Sequence, residues 1–440
     1  MVLSVFNSLY TEPNFGKKKF IKENSRDIPV DYEVDIVVVG GSSGAVSAAV
    51  KAAQSGAKVF LAAQLPYLGD DLCGNYRLWL QEGQEPKTTL AKQIFANKKT
   101  DFILPSPMHI KTTLDNALLR EGVKFLFGCF ITDILIDDEG EICGIVMANR
   151  AGRQAVKSKV IVDATQRATV ARLAGVNFTP YQVGDNIFKR VVIGGNLIND
   201  PDIIEARILP WSAESNGHKY KVIEYTLSIE MANSSFQSFA KAEQIARNLT
   251  WDLNQVDSSD ILFQVPPDPA ECKESFDGLW QGASKLNLNI FKPRNIENIY
   301  ILGGCADLSR ENAQKLLNPV NLMEVGEIIA QDAAEKAKEI EIQKKEFQNP
   351  GGYHIKKADS IFKNLESGKI CELLQGVRSF RKKSEKIISQ ERSVPIIDKY
   401  NVVVIGGGTS GASAAIAAGR NGAKTLVAEY LHGLGGVGTQ

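Results

Sequence analysis

Three glycines near the end of the chain, Gly406, Gly408 and Gly411, stand at G-x-G-x-x-G spacing directly after the β-branched run Val402 to Ile405. That spacing suits a phosphate. Gly406 permits the tight turn, Gly408 lets backbone approach a pyrophosphate, and Gly411 lets helix and strand pack closely. A helix starting there points free N–H groups and its positive dipole end at the anion. Glu429 follows 23 residues after Gly406, at the end of a second apolar run, where a carboxylate can accept hydrogen bonds from ribose hydroxyls. Gly435 and Gly436 come next and let the chain pass close to a ligand. The elements needed to position these groups are strand, turn, helix and second strand, and Tyr400 to Gln440 supplies them in that order. The segment is predicted to be a βαβ unit for an ADP-containing cofactor.

The same unit occurs earlier in altered form. Val34 to Gly74 aligns with Tyr400 to Gln440 without a gap at an offset of 366 residues, Gly406 falling on Gly40. Gly41, Ser47, Gly56, Lys58 and Gly69 fall on Gly407, Ser413, Gly422, Lys424 and Gly435. Such a repeat means two copies of one module. The differences lie at the ligand contacts. Ser42 replaces Gly408, Ala45 replaces Gly411, Ala63 replaces Glu429, and Asp70, with Asp71 beside it, replaces Gly436. A side chain therefore stands where backbone should meet phosphate, the ribose acceptor is gone, and negative charge is added. A one-residue slip in the turn would instead match Gly41 and Gly44 to Gly408 and Gly411. The first copy is expected to keep the fold and to have largely lost the cofactor, with Gly40, Gly41 and Gly44 as its weaker binding candidates.

Composition narrows the setting. The 440 residues carry 51 Lys plus Arg against 51 Asp plus Glu, so net charge gives no reason to expect nucleic acid or an anionic membrane as partner. No apolar run approaches membrane-spanning length, and a cytoplasmic protein with a small-molecule substrate is expected. Nothing in the composition argues against a homo-oligomer. Six cysteines and four histidines are scattered with no C-x-x-C or H-E-x-x-H spacing, so no metal is expected. Arg77, between Tyr76 and Trp79, is a candidate substrate contact because arginine among aromatics can stack and grip a carboxylate. A packed surface loop is the competing reading. No catalytic residue is assigned.

Along the chain, residues 1–33 read as an N-terminal arm. Residues 34–340 form a first module, with a β-meander of strands at Ile131 to Ile136, Ile142 to Met147 and Ala155 to Val162, and a cap domain at about 180–290. A strand at Ile299 to Gly304 and a long helix from about Val320 to near Phe347 close it. Residues 341–399 read as a helical linker with short helices around Ala358 to Leu365 and Ser379 to Gln390, and 400–440 begin the second module.

This order of elements, with GGGTSGASAAIAAGRNGAKTLVAEYLHGLGGVGTQ, VIVDAT and ARLAG, resembles the FAD-dependent oxidoreductase family of the glutathione-reductase-like flavoproteins, whose relatives include the heterodisulfide reductase flavin subunit. The resemblance implies an α/β fold: a Rossmann-like, three-layer FAD/NAD(P)-binding domain with a β-meander and a cap, followed by the start of a second copy. It implies FAD as cofactor and hydride or electron transfer as the reaction. It also implies that the D-A-T strand should end in a glycine and an acid, where this chain has Gln166, Arg167 and Ala168, and that the late strand should deliver a glycine and an acid, here Gly303, Gly304 and a displaced Asp307. The βαβ alone does not separate FAD from NAD, so an NAD-binding dehydrogenase is an alternative, and a non-catalytic scaffold or regulatory role is another for residues 1–340. A βαβ of about forty residues has too little core to hold itself. The 440 residues are therefore expected to be the N-terminal part of a longer tandem protein and to be inactive alone.

Overall fold

The computed structural model describes residues 20–81, 83–95, 104–180, 183–215, 217–233, 236–340, 348–349, 385–431 and 433–436. Two units are separable: Arg26–Gly352 with Lys369–Gln390, and Met1–Ser25 with Tyr353–Gly368 and Glu391–Gln440. In chain order the first elements are β1 (Phe20–Glu23), β2 (Arg26–Val39), α1 (Ser43–Gln54), β3 (Val59–Ala62), α2 (Thr89–Ile94), α3 (Pro107–Arg120) and β4 (Lys124–Leu126). The meander follows as β5 (Phe130–Ile136), β6 (Ile142–Asn149) and β7 (Gly152–Asp163), then α4 (Thr169–Leu173).

The larger unit is built on a parallel sheet in the order β7–β2–β3–β4. The run Ile36 to Val39 is buried on both faces, as a parallel strand covered by helices requires. Its β-branched side chains suit that position. The meander pairs β5–β6–β7 antiparallel, and its two turns are fixed by side chains. Asp137 Oδ1 accepts from the N–H groups of Glu139 and Glu141 at 2.9 Å each, and Asn149 Oδ1 accepts from Ala151 N–H at 2.9 Å.

The cap comprises β8 (Gly184–Gly194), β9 (Ile203–Ser215), β10 (His218–Met231), α5 (Phe236–Leu249), β11 (Gln255–Ser258) and β12 (Phe263–Gln264). Its antiparallel sheet runs β11–β8–β10–β9, with β12 also on β8. Phe188, Tyr225 and Leu227 of the sheet and Phe239 and Ala242 of α5 form its core. The chain then returns as β13 (Ile299–Ile301), parallel to β7, and continues into α6 (Arg310–Leu316) and α7 (Pro319–Glu339).

The helices α1 and α7 cross with almost no side chain between them. A Cβ on Gly44 would lie 2.5 Å from Leu322 Cγ and 2.9 Å from Leu322 O, and one on Gly326 would lie 2.5 Å from Gly44 O. The small residues of SGAVSAAVKAAQ thus let α7 press α1 onto the sheet.

Two expectations are corrected. The strand expected to begin at Val34 begins at Arg26, because Ile28 buries completely in a small cluster with Leu135, Val146, Ala155 and Ile387. The arm read at 1–33 is therefore β-structure over its described part, 20–33. The linker, read as helical over 341–399, contains β14 (Gln348–Asn349), β15 (Lys386–Ser389) and β16 (Arg392–Pro395). β15 adds antiparallel to the start of β2, putting Ile387 into the cluster that buries Ile28. Tertiary pairing here outweighs helical periodicity. The other expected linker helix, Ala358 to Leu365, lies outside the described residues, and the helix expected to reach Phe347 is described as far as Glu339.

In the smaller unit β1 pairs with β16 antiparallel. The unit also holds β17 (Val402–Ile405), α8 (Thr409–Arg420) and β18 (Thr425–Ala428), with β17 and β18 parallel. No residue of α8 is buried, and Ile405 is 81% exposed. No helix among the described residues is long and apolar enough to cross a membrane.

Candidate functional site

The two βαβ units repeat the same backbone hydrogen bonds at the 366-residue offset. Gly40 N–H donates to Ala62 O at 2.9 Å and Gly406 N–H to Ala428 O at 2.8 Å. Gly69 N–H donates to Gly41 O at 2.7 Å and Gly435 N–H to Gly407 O at 2.9 Å. The ungapped match therefore holds, and the one-residue slip does not occur. Gly44, which the slip would have set against a ligand, instead packs on Leu322.

What differs is the helix N-terminus. In the later unit the cap position of α8 is Gly408, which provides no side-chain hydrogen bond, and a Cβ built there would meet nothing within 4 Å. No side chain caps the first N–H groups of the helix. Gly406 adopts φ +93, a left-handed turn that glycine accepts without strain. A Cβ at Gly411 would stand 1.8 Å from Gly406 O, so only glycine fits there. Gly436 comes close behind the turn, where a Cβ would lie 3.1 Å from Gly408 Cα. Glu429 closes the turn: Oε2 accepts from Gly407 N–H, and Oε1 accepts from Tyr430 N–H at 2.8 Å and Leu431 N–H at 3.0 Å. These donors, Gly407 first, hold its carboxyl below the usual carboxylate range. A carboxylate offers about four lone-pair sites, so one is left for a further donor.

In the earlier unit the N-terminus of α1 is already satisfied. Ser42 Oγ accepts from Ala45 N–H at 3.1 Å as a conventional N-cap. The Asp71 carboxylate accepts from Ser43 N–H at 2.7 Å and from Ser43 Oγ–H at 2.5 Å. An anion therefore sits on the helix end, and it is the chain's own. Asp71 is carried there by a π-helical turn, Asp70–Gly74, entered through Gly69 at φ +81. Ala63, at the Glu429 position, is buried.

A crevice opens beside this helix end. Its volume is about 70 Å³, and Ser42, Asp70, Asp71, Asn75, Thr165 and Gln166 supply its polar wall. Gly303 and Gly304 lie along it, and Ile261 to Gln264 with Pro266 come over from the cap side. Typical ligand pockets are larger, about 300–1,000 Å³. Burial and the adjacent Asp71 carboxylate push Asp70 up to about 7, and burial raises Asp71 as well.

The other sequence candidates have structural partners. Asp163 of the D-A-T strand accepts from Thr165 Oγ1–H at 2.7 Å and Ala171 N–H at 2.9 Å, tying the loop to α4. Arg167, where an acid was expected, pairs through both oxygens of Asp268 at 3.0 Å, and Arg172 joins the same carboxylate at 2.9 Å. Ala168 takes the left-handed φ of +48. Asp307 accepts from Cys272 N–H at 3.0 Å. Arg77 lies 4.1 Å over the Phe263 ring with Glu224 Oε1 at 3.8 Å, and Tyr76 and Trp79 pack on the cap sheet. Sequence reasoning overlooked Asn75 and the capping role of Asp71. Ser-rich GGSSG in place of GGGTSG was the available signal, since serine after the turn predicts a self-capped helix.

Residues 35–194 and 401–440 match the family model described as FAD dependent oxidoreductase. These two stretches of the chain are similar to that family. FAD is its cofactor, and its reaction class is flavin-dependent oxidation and reduction. No curated protein matches the chain. Among solved structures, it is similar to the flavin-dependent brominase Bmp2, at 12% identity and TM-score 0.41, covering 70% of this chain and 80% of that one. A geranylgeranyl bacteriochlorophyll reductase-like protein from Thermoplasma acidophilum shows 15% identity and TM-score 0.40, covering 70% and 79%. THI4 of Thermovibrio ammonificans shows 14% identity and TM-score 0.35, covering 70% and 90%. Likeness at this level decides nothing further about this chain.

Proposed function

We propose that the ADP half of FAD is held by the later unit, on Gly406, Gly408, Gly411, Glu429, Gly435 and Gly436, and that the earlier module serves as a flavin-free scaffold. One observation carries the reading: α8 begins at an uncapped glycine, whereas the matching end of α1 is occupied by Ser42 and Asp71. The donors of the α8 turn receive the pyrophosphate. The spare lone pair of Glu429 accepts a ribose hydroxyl, and the same carboxylate keeps the turn in shape through Gly407 N–H. Bound there, FAD supplies a redox centre for electron or hydride transfer. The free thiols Cys73, Cys129, Cys143, Cys272 and Cys305 support a reducing, cytoplasmic setting.

The test is titration of the full chain with FAD and with ADP, scored by stoichiometry. One site per chain is expected, abolished by Gly411→Val and weakened about tenfold by Glu429→Ala, the loss of one charged hydrogen bond. Binding that survives Gly411→Val but fails in Gly40→Val overturns the reading and moves the flavin to the earlier module.

A further inference from the structure

The crevice of the earlier module is small, yet its polar wall is unbalanced. Asp70 and Asp71 bring two adjacent carboxylates, and none of the lining residues is lysine or arginine. The two donors of Ser43 both go to Asp71, and Asp70 receives the Asp71 N–H at 2.9 Å. Asn75 lines the same cavity and is 6% exposed, and its side-chain Oδ1 has no hydrogen-bond partner. A buried acceptor left without a donor is destabilising, and neighbouring buried carboxylates are more so. The wall also carries the side-chain amides of Gln166 and Gln264, but no positive charge offsets its two acids.

The group left without a donor is an oxygen, the Asn75 amide carbonyl, and beside it stand the Asp70 carboxylate and Asp71, which already accepts from Ser43. Hard oxygen donors select hard cations, and a site with one or two carboxylates is typically completed by water. About 70 Å³ leaves room for an ion with one or two waters, since a water occupies about 30 Å³ of liquid. No group of three or more His, Cys, Asp or Glu side chains converges among the described residues, so this is a sparse, water-completed site rather than a cage. From the Asp70–Asp71 pair and the unpartnered Oδ1 of Asn75, we infer that this crevice binds a small hard cation of the Mg2+ or Ca2+ class. The earlier module thus reverses the sign of its ligand: its helix end is closed by Asp71, and the space beside it takes a cation. This departs from the expectation of no metal, which rested on His and Cys spacing alone.

The inference rests on the reading that flavin does not occupy this crevice, and the two fail differently. The full chain, stripped with EDTA, is titrated with MgCl2 and with CaCl2 against choline chloride at matched ionic strength, by calorimetry and by thermal melting. Flavin content is measured on the same samples. One saturable site with a rise in melting temperature is expected. Asp70→Asn should weaken it at least tenfold, and Asn75→Asp, which adds a carboxylate to the wall, should tighten it severalfold. The Asn75→Asp gain is a readout that a merely structural asparagine would not give, and it keeps the idea testable should Asp70→Asn fold poorly. No saturable binding, or equal affinity in wild type, Asp70→Asn and Asn75→Asp, overturns the cation site and leaves flavin at the later unit untouched. Flavin that is lost on Gly40→Val overturns the scaffold reading, and the cation site with it.

Discussion

At the scale of single residues, the two copies differ in who completes the helix end. Ser42→Ala removes the α1 cap and should cost about 1 kcal/mol in urea denaturation, whereas Ser42→Gly should cost only a few tenths. The tempting repair, Ser42→Gly with Ala63→Glu, restores two ligand contacts by sequence but should gain no flavin, because Asp71 still occupies Ser43 and the crevice keeps its size. A flavin spectrum in that double variant would show that Asp71 yields readily. Glu429 gives a pH dependence of definite sign. Its folded pKa is depressed, so its hold on the turn is complete above the unfolded value, near 4.3, and is lost as pH falls through the folded one. The amide resonance of Gly407 should therefore move on acidification below about pH 4, and Glu429→Gln should abolish that movement.

At the scale of elements, the contact between α1 and α7 is set by two glycines. Gly44→Ala pushes a Cβ against the Leu322 side chain and backbone, and Gly326→Ala against Gly44 O, so each should lower stability by roughly 1–3 kcal/mol, read as a shift in urea midpoint. This contact also marks what the sequence could and could not express. The βαβ units and the meander were legible because each has a local signature, a glycine triplet or an Asp/Gly turn. Gly44 looked like a phosphate glycine because spacing cannot tell close approach to a ligand from close approach to another helix. β15 was missed because Lys386 to Ser389 is too short to carry a period of its own and is extended by pairing with β2, some 360 residues earlier, and with β14. The crevice was half legible: the added charge of Asp70 and Asp71 was visible, but the tilt that brings Asp71 to Ser43 comes from the turn after Gly69.

At the scale of the whole molecule, matched hydrogen bonds coexist with unmatched burial. Ile36 to Val39 lie beneath helices, whereas Val403 is 51% exposed and Ile405 81%. Amides of Val402 to Ile405, paired with one strand, should therefore exchange with deuterium far faster than those of Ile36 to Val39, paired with two, and added FAD should slow only the former. Equal protection in the two strands would mean that the later unit is covered in solution.

The carboxylate of Asp71 on the end of α1 has a consequence for supply. A protein stabilised by a ligand is as stable as the ligand is abundant, gaining RT ln(1 + [L]/Kd). The earlier module carries its anion covalently, so on the scaffold reading proposed above its folding should be indifferent to how much flavin the cell makes. On that reading, starvation for the cofactor would leave this module intact, while the later unit alone registers the shortage.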